Sequence, residues 1–382
     1  MAATGDPLLA RIAVVQQGDP ADPRTWSGVP ASLLRGLEAA GCEALPVGAL
    51  FPGAGKAARL FGMSWADQAG SRAYAAACSA AANRALRKAG PLDGAVTIGS
   101  GYAVSVELPT VTFEDMTLAQ AISLPGDAYE SVGERPRRRW LKRQRSIYRH
   151  SRACCVGSHW AAASVRDDYG IPADKIHVVG FGRNAEPDRV ERDWSVPRFL
   201  FVGADWKRKR GDAVVKSFDA VKQRYPTATL DLVGGHPHVD ADGVTGHGEL
   251  PLDSADAQHK YRELIHNATC FVMPSAYEPF GIAYLDAGAA GLASIGTTVG
   301  GAPDAVGNGG IVVDPNDEDA LTTAMVALSE PGYARRLGER AFERSQLFTW
   351  KAVAERLLRA LRPAGIDVDR LTDFLAPAHV GS

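Results

Sequence analysis

Along this chain, short continuous apolar runs alternate with longer stretches whose apolar residues recur at helical spacing. Runs at 11–15, 43–47, 95–98, 111–113, 153–156, 176–179, 199–203, 230–233, 270–273, 292–295 and 311–313 are each followed shortly by Gly, Pro or an acid. Continuous apolar character predicts strands buried on both faces, the mark of parallel sheets. The helical stretches fall between them, at 31–39, 66–88, 158–169, 212–224, 254–266, 281–291, from 319, and at 333–344. A last amphipathic helix carries Val353, Leu357, Leu358 and Leu361. Gly41, Gly170 and Gly291 close three of these helices, and Ser158 is placed to cap one. Strand and helix in regular alternation predict an α/β fold built from doubly wound units.

A chain of 382 residues exceeds what one core usually fills, so two domains are expected. The polar segment 186–197, with two prolines, reads as the linker. It separates a domain at 11–185 from one at 198–348. Residues 1–10 read as a loose leader and 363–382 as a peripheral tail.

Composition narrows the function classes. Apolar content of 46% and charged content of 23% are ordinary for a soluble globular protein. A net charge of -2 argues against a general nucleic-acid binder. Cys42, Cys78, Cys154, Cys155 and Cys270 show neither zinc spacing nor a C-x-x-C pair, so buried thiols in a reducing compartment are expected. No stretch reaches the roughly 18 apolar residues a membrane span needs, and no basic segment precedes an apolar run at the N-terminus. A cytoplasmic location is the resulting expectation. Gly53-Ala54-Gly55-Lys56 lacks the GxxxxGK[ST] spacing and a strand to feed it, so it reads as a loop. The absence of a strand-linked GxGxxG sets an NAD-dependent dehydrogenase aside.

One charge run stands out. Arg135, Arg137, Arg138, Arg139, Lys142, Arg143, Arg145 and Arg149 interleave with Trp140, Leu141, Ile147 and Tyr148. On a helix this gives an apolar seam and a strongly positive face. Such a face is either solvated or placed against an anion: an acceptor, or the inner face of a membrane touched peripherally through 135–149.

The densest chemistry lies at 270–304, CFVMPSAYEPFGIAYLDAGAAGLASIGTTVGGAPD. A short buried strand is stopped by Pro274 and Ser275. A loop carries Glu278, and Gly281 opens an alanine-rich helix. That order presents backbone N–H groups and a positive dipole end to an anion. A diphosphate fits on the N–H groups of Phe280, Gly281 and Ile282, with Glu278 and Asp286 taking hydroxyls on either side. A nucleotide sugar has that layout. Two acids alone would suit an ordinary solvated strand-loop-helix equally well; the packed Glu-Pro-Phe-Gly loop favours a ligand site.

Glu278-Pro279-Phe280-Gly281, with an acid eight places after the Glu, resembles the donor-sugar signature of family-4 retaining glycosyltransferases of the GT-B fold. Gly300-Gly301-Ala302-Pro303-Asp304 resembles the loop which that family places after the next strand. The likeness covers 11 to about 361 and is tight at 199–211 and 270–304. It implies two Rossmann-like domains facing across a cleft, with the helix at 349–362 crossing back onto the first. It also implies a metal-independent hexosyltransferase with no cofactor. Its donor would be a nucleoside-diphosphate sugar of UDP or GDP type, and its acceptor a hydroxyl of a glycan, a lipid-linked glycan or a small molecule.

The resemblance assigns roles residue by residue. Lys209 and an arginine, Arg208 with Arg210 as rival, would clamp the diphosphate; a forked guanidinium and a point-charge ammonium suit phosphate oxygens. Glu278 would hold the sugar and Asp286 the ribose. Gly28 and Gly234 would let backbone approach the donor, and the 246–250 segment through Leu250 would meet the base. Trp26, Ser27, Asp115 and Asn184 are expected on the acceptor side, with Glu114 as second choice to Asp115. Ser27 or Gly28 is equally a helix N-cap, and the acids at 114–115 equally a cap for a helix starting at Thr117. Two departures stand out. The family has Glu where this chain has Asp286, a side chain shorter by roughly 1.5 Å, and no His precedes Asp115. They support one alternative, a nucleotide-sugar-binding partner subunit with weak turnover; a nucleotide-sugar epimerase on the same fold is another, but it needs acid/base residues at the sugar and no matching cluster is present.

Overall fold

The computed structural model describes residues 11–50, 71–104, 107–124, 132–184, 190–251 and 253–362. The expected loop at 53–56, the leader, the tail and part of the linker lie outside them. The described residues fall into two compact units. One runs to Gly180 and takes in the helix that begins at Trp350; the other runs from Phe181 to Thr349.

In the first unit, β1 (Arg11–Gln16), β2 (Glu43–Gly48), β3 (Gly94–Ile98), β4 (Thr110–Glu114), β5 (Ala153–Val156) and β6 (Ile176–Val178) form a parallel sheet in the order β2-β1-β3-β4-β5-β6. Helices α1 (Val29–Ala39), α2 (Arg72–Lys88), α3 (Leu118–Ser123), α4 (Glu134–His150) and α5 (His159–Asp167) are interleaved with the strands. The apolar runs behave as their pattern predicts: Ile12, Ala13, Val14 and Val15 are fully buried. A further helix of this unit, Trp350–Leu361, lies on α1. Its buried seam is Val353, Leu357 and Leu361, and Leu358 is only half-buried. The helices meet closely at Gly36, where a Cβ would lie 2.4 Å from the Trp350 carbonyl oxygen. Arg356 is buried there, donates to the Val179 carbonyl at 2.9 Å, and has its pKa lowered to about 10 by burial.

In the second unit, β7 (Arg198–Val202), β8 (Thr229–Val233), β9 (Val244–Gly246), β10 (Cys270–Val272), β11 (Ala293–Thr297) and β12 (Gly310–Val313) form a parallel sheet in the order β12-β11-β10-β7-β8-β9. Helices α6 (Gly211–Arg224), α7 (Ala255–Asn267), α8 (Ile282–Ala289), α9 (Ala302–Val306), α10 (Glu318–Ala327) and α11 (Pro331–Ser345) accompany it. The core joins Phe199, Phe201, Leu230, Leu232 and Val272 of the sheet to Val214, Phe218 and Val221 of α6.

Three local expectations need correcting. The edge strand β9 was not foreseen, because three residues with little burial carry no strand period. The acids at 114–115 do not cap α3. Thr117 does, in a reciprocal capping box with Gln120. Helix α1 is capped by Gly28 without any side-chain hydrogen bond, so Ser27 does not act as a cap.

Candidate donor-binding and catalytic site

In the second unit the site grows from the carboxyl ends of β7 and β10. Directly after β7 the chain makes a tight turn: Lys209 N–H donates to the Asp205 carbonyl at 2.9 Å, and Gly211 N–H to the Trp206 carbonyl at 3.0 Å. The Asp205 carboxylate accepts from the Arg208 N–H at 3.1 Å. Arg210 ends the turn in a left-handed conformation, φ 58°, and its guanidinium lies 3.7 Å from Glu318. The two arginines thus face different carboxylates. Arg208, not Arg210, stands beside Lys209 at Glu278.

The loop after β10 docks onto this turn through its backbone, Ala276 N–H donating to the Arg208 carbonyl at 2.7 Å. Glu278 follows. Its N–H donates to the Val299 carbonyl at 3.0 Å, and its own carbonyl accepts from Gly301 N–H at 2.8 Å. Gly300 makes this possible. It has φ 101°, and a Cβ there would fall 2.1 Å from the Glu278 carbonyl oxygen. The glycine pair expected as a tight turn therefore grips the backbone of Glu278 from the neighbouring strand's end.

The Glu278 side chain is 9% exposed and its Oε2 receives three donors: Lys209 Nζ in a short ion pair, Arg208 at 3.4 Å and Ser275 Oγ at 3.2 Å. Burial lowers the Lys209 pKa, while Glu278 opposes the shift. Arg208 also donates to the Tyr277 carbonyl at 3.1 Å, and its guanidinium lies 5.3 Å from the Tyr277 ring centre.

Behind Glu278, Phe280 is buried against Phe181, with ring centres 5.0 Å apart, and Phe348 at 6.2 Å. Gly281, φ 91°, opens α8, and Tyr284 lies under it, where a Cβ on Gly281 would meet the ring at 2.5 Å. The N-terminus of α8, at Ile282, is thus presented next to Glu278. Asp286 is buried, and its Oδ1 accepts from the Asn184 N–H at 3.0 Å. That joins a residue expected at the ribose to one expected on the acceptor side. Gly234, φ 112°, brings the end of β8 against β7: a Cβ there would lie 2.1 Å from the Gly203 carbonyl oxygen, and its N–H donates to the Gly248 carbonyl at 2.8 Å. Leu250 is half-buried just beyond.

In the first unit, the loop after β1 holds Trp26, Ser27 and Gly28 in three successive left-handed conformations, φ 43°, 54° and 78°. The first two are unusual for residues with a Cβ and mark stored strain of the kind that clusters at ligand sites. Trp26 packs edge-on against Phe113 of β4, ring centres 6.4 Å apart. Asp115 is half-exposed just past β4. Glu114 is buried and bonded to Gln144 at 3.0 Å and to the Tyr148 hydroxyl in a short contact. Burial pushes its carboxyl up to about 7, against the two hydrogen bonds. Among the described residues no group of three His, Cys, Asp or Glu side chains converges at metal-ligand spacing.

Sequence reasoning missed Ser275, Asp205 and the Gln144–Tyr148 support of Glu114. Ser275 had a signal, as a small polar residue between a strand end and the acid it serves. Gln144 had none, because it occupies a seam position otherwise read as apolar.

Comparison with known proteins follows the same lines. Residues 196–330 match the family model described as glycosyl transferases group 1. Over 240 residues the chain is 40% identical to the alpha-maltose-1-phosphate synthase of Mycolicibacterium smegmatis, a match covering 53% of this chain and 61% of that protein. It therefore spans about three fifths of that relative's length. Sucrose-phosphate synthase from Thermosynechococcus elongatus superimposes with a TM-score of 0.65 at 20% identity, over 92% of this chain and 98% of that one. WaaG, a glycosyltransferase involved in lipopolysaccharide biosynthesis, does so with 0.63 at 15% identity, over 93% and 100%. The fold is GT-B. The family match and the named relative support a glycosyltransferase.

Proposed function

We propose that the protein is a retaining glycosyltransferase of family-4 type. It would move a hexose from a nucleoside-diphosphate sugar, UDP or GDP in type, to a hydroxyl acceptor. The observation that carries this is the buried convergence of Lys209 and Arg208 on Glu278, beside the N-terminus of α8.

Departure of the sugar from the diphosphate builds negative charge on the leaving group and positive charge on the ring. Two fixed cations and a helix N-terminus stabilise the first without reorganising water. In the ligand-free protein the cations are satisfied by Glu278. Donor phosphates arriving at Lys209 and Arg208 take over those donors and release the carboxylate to hold and orient sugar hydroxyls. The cationic pair does the work of charge neutralisation, so transfer is expected without added metal. The acceptor hydroxyl attacks from the leaving-group face and passes its proton to a phosphate oxygen. Asp286, whose Oδ1 accepts from the Asn184 N–H at 3.0 Å, is assigned to the ribose. Trp26, Ser27 and Asp115 are assigned to the acceptor.

A thermal-shift panel with UDP, GDP, ADP, CMP and NAD, with and without divalent cation, tests the reading. One nucleoside diphosphate should stabilise without metal, by about 2.7 kcal/mol at 100 times its dissociation constant. With the donor so identified, Glu278→Gln should keep diphosphate binding and lose transfer by roughly 100-fold, as expected when a substrate is misplaced. A shift with NAD and none with any diphosphate would sink the proposal.

A further inference from the structure

The basic run on α4 does not form a flat positive face. Arg139, Lys142 and Arg143 stand at i, i+3 and i+4, so they share one side of the helix. Arg72 and Ser79 of α2 line the same space; seven residues, about two turns, apart, they share a face of their own helix. The small side chains of Ala75 and Ala76 leave room between them. The result is a concavity of about 340 Å³. Arg143 is half-buried and held by donation to the Ser100 carbonyl at 3.4 Å.

The charge pattern is one-sided. Among the described residues, no acid lines the concavity. The ion pair that α4 makes among the described residues joins Arg138 to Glu134, on side chains that do not line it. Arg72, Arg139 and Lys142 are exposed, and among the described residues no carboxylate pairs with them. Like charges lining one concavity repel one another, and a bound anion would relieve that repulsion. Guanidinium forks beside an ammonium match phosphate oxygens in particular.

We propose that this concavity binds the phosphate or diphosphate group of an anionic ligand, at a site of the first unit separate from Glu278, Arg208 and Lys209. It shares no residue with the proposed donor site and does not depend on the role of Glu278. The same phosphate chemistry is offered by a soluble phosphorylated compound and by a lipid headgroup, and the two are separated by experiment.

Inorganic pyrophosphate is titrated calorimetrically at low salt into the full chain and into Lys209→Ala, which disables the other phosphate-binding cation. Lys209→Ala should still bind pyrophosphate. Adding Arg139→Gln and Lys142→Gln, both at exposed positions, should weaken that binding at least tenfold. Loss of all pyrophosphate binding in Lys209→Ala alone would overturn the proposal, as would undiminished binding in the triple variant. Sedimentation with phosphatidylglycerol vesicles distinguishes the source. Vesicle binding that pyrophosphate displaces assigns the site to a lipid headgroup; pyrophosphate binding without vesicle binding assigns it to a soluble phosphate.

Discussion

Lys209→Met tests whether the ion pair at the heart of the site is a stabilising element or merely a contact. Both partners are nearly enclosed, Glu278 at 9% and Lys209 at 11% side-chain exposure, so solvent screening is weak. Removing one member of a buried pair typically costs about 3–5 kcal/mol, because the other charge is left behind. Here Glu278 keeps Arg208 at 3.4 Å and Ser275 at 3.2 Å, which argues for the lower end, about 3 kcal/mol. Glu278→Gln should cost less. The ammonium it strands has a pKa already lowered by burial and can shed its proton. The two changes together should cost little more than the first alone, giving a coupling of at least about 1.5 kcal/mol. Urea unfolding of the four proteins, followed by tryptophan fluorescence, supplies the cycle. Losses that add to within about 0.5 kcal/mol would refute the reasoning, since independent sites behave that way.

Two further perturbations address the frame of each unit. Gly300→Ala places a Cβ 2.1 Å from the Glu278 carbonyl oxygen on a backbone with φ 101°, and should cost at least ~2 kcal/mol. It should lower transfer along with stability, by displacing Glu278; a variant with native stability and native activity would show that the glycine turn does not hold Glu278. Glu114→Gln tests the buried acid of the first unit, whose carboxyl is raised to about 7 from an ordinary value of 4.5. A raised carboxyl makes the folded state the tighter proton binder. Its stabilising share is full below about pH 4.5 and is lost, up to about 3 kcal/mol, as pH rises to about 7. The variant should flatten stability measured across that window, and an unchanged slope would assign the pH dependence to another group.

The fold was legible because burial on both sheet faces writes itself as continuous apolar runs in the inner strands β1, β3, β4, β5, β7, β10 and β11, whereas β9 has no such run. That edge strand pairs on one side only and buries little, so its residues carry no period. The donor-site residues were legible as residue types: the loop that bears Glu278, and the cations after β7. Their mutual arrangement was not. Among four adjacent cations the pattern favours Lys209 and puts Arg208 only narrowly ahead of Arg210. Arg208 and Arg210 are separated only by the turn that Asp205 organises, which sends one guanidinium to Glu278 and the other to Glu318. Glu114 was misread for a related reason. An acid at a strand end is normally solvated, and its burial depends on Gln144 and Tyr148 from a helix 30 and 34 residues further on. The short polar positions that satisfy buried acids leave no periodic trace.

Two cations already hold a carboxylate, so an entering ligand must offer both of them better partners than Glu278 does. A neutral sugar cannot do so, and a single phosphate oxygen can replace one contact but not both. A diphosphate spans two donors and carries more charge than the carboxylate it displaces, so the exchange runs in its favour. The released carboxylate then remains within the same buried space, held in place by its backbone bonds to Val299 and Gly301. On the proposed function, phosphate binding and sugar orientation would be two outcomes of one exchange at Lys209 and Arg208. Gly300 lets that exchange proceed without moving the main chain that carries the acid.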